Sequence, residues 1–111
     1  MINSRECEML ETVLKQHRIP ERYYSIGKNQ KARICIEHTA DKWIVYTGKE
    51  KRKYKKMTFD SFCEACFHMF EEIITLQKIN RTRYGVTLLF DMRGDLKKQL
   101  FVHDTEYSEC T

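Results

Sequence analysis

The stretch from Ser61 to Leu76 restricts the fold more than any other part of the chain. Ser61 and Glu64 have the spacing of a capping box, in which a hydroxyl and a carboxylate satisfy the free amides at the start of a helix. Behind them Phe62, Ala65, Cys66, Met69, Ile73 and Leu76 recur at i, i+3, i+4, i+7. Phe67, Phe70 and Ile74 widen this stripe. A helix over 60–78 with so broad an apolar face needs cover on two sides, from a sheet and from another helix.

The rest of the chain offers both. Met9, Leu10, Val13, Leu14 and His17 recur at helical spacing, Asn3 and Glu6 form a second capping pair, and Pro20 stops the pattern, which predicts a helix over 4–17. Between the helices, 23–26 reads as a short strand ended by Gly27, and 31–38 as a longer one with Ile34 and Ile36 on one face. Lys42 to Thr47 contains Trp43, Ile44, Val45 and Tyr46, which marks a central strand ended by Gly48. Lys51 to Met57 is polar and fits a sheet edge. After a stop near Asn80, Val86 to Phe90 reads as a strand, Asp91 to Asp95 as a turn, and 96–102 as a returning strand in preference to a short helix capped by Asp95.

The expected fold is α+β: a mostly antiparallel twisted sheet, built as a meander, with two main helices on one face. Trp43, Val45, Ile34, Ile36, Phe62, Met69 and Ile73 form its core. The 111 residues suit one domain over 1–111, with 104–111 as a flexible or partner-ordered tail. No apolar run approaches the roughly 20 residues of a membrane span, and the first dozen residues lack the pattern of a secretory signal, so the cytoplasm is the expected compartment. Five cysteines without a regular framework read as reduced thiols, with no disulfide.

Charge is segregated. Residues 23–57 carry ten basic and three acidic side chains, and 58–75 carry four acids and no base. The basic excess gathers in Lys49, Lys51, Arg52, Lys53, Tyr54, Lys55 and Lys56, cations around one aromatic ring, which is the composition of a phosphate-binding surface. Lysines that merely keep a sheet edge soluble give the same pattern, and in the absence of a nucleic-acid motif this account comes first.

Catalytic and metal chemistry find little footing. Cys63 and Cys66 have Cys-x-x-Cys spacing, but they fall inside the apolar stripe and no second ligand pair follows, so they read as core residues. His17, His38, His68 and His103 lie on separate elements without a nucleophile motif. A nuclease using His38 or His103 as base, with Lys51 or Arg52 holding phosphate, is the third-ranked alternative. No catalytic residue, cofactor or metal site is expected.

Four stretches occur in a particular order: Ile19-Pro20-Glu21-Arg22-Tyr23-Tyr24-Ser25-Ile26-Gly27, Ala32-Arg33-Ile34-Cys35-Ile36-Glu37, Lys42-Trp43-Ile44-Val45-Tyr46-Thr47-Gly48 and Phe59-Asp60-Ser61-Phe62-Cys63-Glu64-Ala65-Cys66. In that order they resemble small bacterial immunity proteins of polymorphic toxin systems, including contact-dependent growth inhibition. The resemblance spans about residues 9–75. It implies a non-enzyme that binds the C-terminal domain of one cognate toxin in a one-to-one complex and protects the producing cell. Such toxins are often nucleases, whose basic clefts favour an acidic plug. That favours the acidic tail residues Asp104, Glu106 and Glu109, with Tyr107 as anchor, as the toxin-binding surface. The basic 49–56 segment is the alternative surface, and a small nucleic-acid-binding module is the alternative function.

Overall fold

The computed structural model describes residues 4–49, 52–76 and 83–103. Helix α1 (Ser4–Gln16) leads through a 3-10 turn (Glu21–Tyr23) into β1 (Tyr24–Ile26), β2 (Ile34–Thr39), β3 (Lys42–Lys49) and β4 (Arg52–Phe59). Helices α2 (Phe62–Leu76) and α3 (Arg83–His103) complete an α+β fold. The strands form one sheet in the order β1-β2-β3-β4. Trp43 to Tyr46 thus lie on a central strand and the lysine-rich strand lies at an edge, as their compositions predict.

Helix α2 forms where its cap and stripe require. The Glu64 amide donates to Ser61 Oγ at 3.2 Å, and Phe62, Ala65, Cys66, Met69, Phe70, Ile73 and Ile74 are all buried. One side of α2 covers β2, β3 and β4. Its other side meets α3, which also takes the apolar face of α1. The second cover is therefore supplied mainly by α3 and not by α1. All seven core residues expected from the sequence are buried.

Several expectations are corrected. The segment 83–103 is one continuous helix, with no strand at Val86–Phe90, no turn at 91–95 and no returning strand. Leu88, Met92, Leu96 and Leu100 are buried at intervals of four, the spacing of one helical face, and covering α2 and α1 outweighs the β-like look of Val86 to Phe90. The sheet is mixed and not a simple meander, because β1 runs parallel to β2, Tyr24 facing Ile34 and Ile26 facing Ile36. The seven residues between them form a crossover in place of a hairpin, pinned by Ala32 N–H donating to Gly48 O and Gly48 N–H to Arg33 O, both at 2.9 Å.

Cysteine usage is the third correction. Cys63 is disulfide-bonded, whereas Cys7, Cys35 and Cys66 are free thiols. Cys66 lies fully buried in the core, and burial pushes its thiol well above the usual range.

Gly48 does not end β3, which runs on to Lys49. Its role is contact: a Cβ there would sit 2.0 Å from the Gln30 carbonyl oxygen, so only glycine lets the 27–33 segment lie across the sheet. That segment helps close the face opposite the helices, where Cys35, Ile44 and Tyr46 form a second apolar cluster and Cys35 Sγ meets the Arg33 and Gln30 carbonyls at 3.4 and 3.6 Å. The expected helix start at Asn3 and stop at Asn80 lie outside the described residues. Among the described residues no helix is long and apolar enough to cross a membrane.

Candidate functional site

Among the described residues, strand β4 is the most exposed part of the sheet. Phe59 is anchored, paired with Trp43 and packed 5.3 Å from the His68 ring. From Arg52 to Thr58 every residue is exposed. Tyr54 and Met57, each 48% exposed, are among the few large hydrophobic side chains left in water.

The register explains how these side chains are displayed. Thr47 faces Tyr54 and Lys49 faces Arg52, whereas Val45 faces Met57, so β4 carries one extra residue. A bulge accommodates it at Lys55, whose φ is 56°. Lys49 and Arg52 pair as neighbours of Thr47 and Tyr54 along the hairpin, and the Lys49 and Lys55 ammonium groups lie 5.1 and 5.7 Å from the Tyr54 ring centroid. Two cations thus lie within cation–π range of a ring that is about half exposed.

Lys53 has a different surrounding. It lies 3.5 Å from Glu37 and 5.2 Å over the Tyr46 ring, while the Tyr46 hydroxyl donates to Glu37. Burial first, and then the bond to Glu37, push the Tyr46 phenol far above its ordinary value. Lys53 is thus neutralised within the fold. Among the described residues, Lys49, Arg52, Lys55 and Lys56 have no carboxylate partner. The result is a strand pair on which Lys49 from β3 and Arg52, Lys55 and Lys56 from β4, all without a carboxylate partner among the described residues, lie near one aromatic ring and one thioether.

The other expected positions scatter. Lys51 and the tail positions Asp104, Glu106, Tyr107 and Glu109 lie outside the described residues. His38 stacks flat on Trp43, ring centroids 4.2 Å apart. Trp43 pairs with Phe59, and Lys49 with Arg52 six positions further along β3, so His38 and Arg52 are separated by about 20 Å of strand. A base at His38 cannot share a phosphate with Arg52. His17 contacts Asp95, His68 contacts Glu72, and His103 belongs to the last turn of α3. Among the described residues no three His, Cys, Asp or Glu side chains gather as a metal site.

The bulge at Lys55 was not read from the sequence, and no turn or glycine marks it. Nor was the fate of Lys53, because its partners Glu37 and Tyr46 come from two other strands. No family model matches the chain, and no curated protein or solved structure does either.

Proposed function

We propose that the chain is a binding protein of the immunity type, which neutralises a cognate toxin domain by one-to-one association. The observation that carries this reading is the exposure of Arg52 to Thr58 on a strand fixed to the core at its Phe59 end. Lys49 and Lys55 flank Tyr54 there, and with Arg52 and Lys56 they have no carboxylate partner among the described residues. Tyrosine and arginine are the side chains most often found as binding anchors, and a preformed strand limits the entropy lost on association. The ordered resemblance to immunity proteins supplies the class of partner. The basic surface departs from the acidic plug expected for a nuclease cleft, so contact through β4 falls on an acidic surface of the toxin.

The test is protection of cells expressing the toxin domain encoded beside this gene. The wild-type chain is expected to protect, and Tyr54→Ala combined with Arg52→Glu to bind at least tenfold more weakly. Absence of any encoded toxin, or failure of the wild-type chain to protect, would discard the immunity reading. Full protection by the double variant would transfer binding to the acidic tail at Asp104, Glu106, Tyr107 and Glu109.

A second reading rests on Tyr54 itself. A half-exposed ring flanked by two ammonium groups also suits a stacked base beside phosphates. Titration with labelled single-stranded RNA and DNA separates the two: binding that weakens steeply with salt supports a nucleic-acid module, and no binding at low salt removes it.

A further inference from the structure

The chain has five cysteines, at positions 7, 35, 63, 66 and 110. Cys7, Cys35 and Cys66 are free thiols, and Cys63 is disulfide-bonded. A disulfide joins two sulfurs, so within one chain the partner of Cys63 is Cys110 by elimination. Cys66 lies one helical turn beyond Cys63 and stays a thiol, so the Cys-x-x-Cys pair of α2 is not closed on itself. Cys110 lies outside the described residues, and its assignment follows from the state of the other four cysteines.

Charge opposes that union. Cys63 is the second residue of α2, and residues 58–75 carry four acids and no base. Asp60 is paired with Lys42, but Glu64, next to Cys63, forms no ion pair among the described residues. The residues leading to Cys110 include Asp104, Glu106 and Glu109, so like charges meet where the two sulfurs join. Tyr107 is the one large apolar side chain of 104–111, which offers little surface to bury in return. A covalent bond is therefore needed to hold these residues beside α2.

We propose that Cys63 and Cys110 form a reversible disulfide that tethers the C-terminal tail to the start of α2, and that exchange with a dithiol reductant releases it. Because Cys63 is only 2% exposed, a thiolate of the reductant attacks the Cys110 sulfur and Cys63 leaves as thiolate. The second thiolate of the reductant then attacks its own sulfur in the mixed disulfide and expels Cys110. The dithiol ends as a disulfide, and its two protons pass to Cys63 and Cys110. Oxidised glutathione, reduced to two thiols, re-forms the bond. A reducing cytosol thus frees the tail and an oxidising compartment closes it. In the closed state Glu109 adjoins the bond and Asp104 lies no more than roughly 22 Å from it along the chain. The acidic residues named as the alternative toxin surface are then gathered near the Phe59 end of β4, four positions before Cys63. The linkage itself does not depend on the immunity reading.

The experiment treats the full chain with oxidised glutathione, alkylates the remaining thiols in denaturant and digests without reductant. Mass spectrometry is expected to find one peptide pair joining Cys63 to Cys110, with Cys7, Cys35 and Cys66 alkylated. Cleavage of the folded chain after Glu106 by a glutamate-specific protease, followed by mass, should run at least tenfold faster once dithiothreitol has opened the bond. Cys110→Ser should be cleaved at that faster rate with or without reductant, and it leaves the core cysteines untouched. Removal of dithiothreitol and return of oxidised glutathione should restore the slow rate. A Cys63 to Cys66 linkage, an alkylated Cys63 in the oxidised chain, equal cleavage of the oxidised and reduced chains, or a bond that survives about 10 mM dithiothreitol in the folded chain would each overturn the proposal.

Discussion

Nε2 of His17, the residue after α1, lies 2.6 Å from Oδ2 of Asp95 in the middle of α3. The imidazole donates to the carboxylate, and both side chains are mostly shielded from water. This bond joins the first helix to the last across 78 positions of sequence.

His17→Ala and Asp95→Asn should each destabilise the fold by about 1 kcal/mol, the net contribution of a partly shielded charge-assisted bond. Urea unfolding of both single variants and the double variant measures the coupling. Fully additive losses would show that the two residues do not stabilise each other.

Burial pushes the Cys35 and Cys66 thiols, and the Tyr46 phenol, above their ordinary values. These acids stay neutral in the folded chain, so the folded state keeps protons that the unfolded chain releases once pH passes the ordinary thiol value of 9.0 and phenol value of 10.0. Stability from this source is complete below that range and declines as pH rises through it. The urea midpoint is expected to be level near neutrality and to fall above about pH 9. Tyr46→Phe should show a shallower alkaline fall than the wild type, and an equally steep one would refute the assignment to Tyr46.

Two glycines should respond oppositely to alanine. Gly48→Ala drives a Cβ into the Gln30 backbone, and a loss of about 1–3 kcal/mol is expected from the forced displacement of the crossover. Gly94 sits inside α3 with nothing within 4 Å of the added carbon, so Gly94→Ala should stabilise by about 0.5–1 kcal/mol. Thermal melts of the two variants give the signs directly.

Lys55 occupies left-handed backbone at the β4 bulge, a conformation that glycine adopts without strain. Lys55→Gly should raise stability by up to about 1 kcal/mol and Lys55→Val should lower it. If valine is tolerated as well as glycine, the bulge does not persist in solution. Because Lys55 also flanks Tyr54, the glycine variant should bind the proposed partner more weakly even as it folds more stably.

Local pattern alone was enough wherever a segment's partners follow from its own periodicity. Helix α2 carries its start signal in Ser61 and its buried face in a stripe of large apolar residues, and no tertiary contact contradicts either. The run Trp43 to Tyr46 likewise requires cover on both faces, so β3 had to be central, and the lysines of β4 had to lie at an edge. Tertiary structure decided the rest. Val86 to Phe90 is locally strand-like, yet Leu88, Met92, Leu96 and Leu100 gain burial only along a helix that reaches both α1 and α2. The direction of β1 depends on a crossover seated against Gly48, a contact no three-residue strand can announce. The candidate surface divides in the same way. Its basic and aromatic composition is plain in residues 49–56, but which lysine is neutralised and which remain free depends on Glu37 and Tyr46, because an ion pair is a property of distance in space and composition carries no distance.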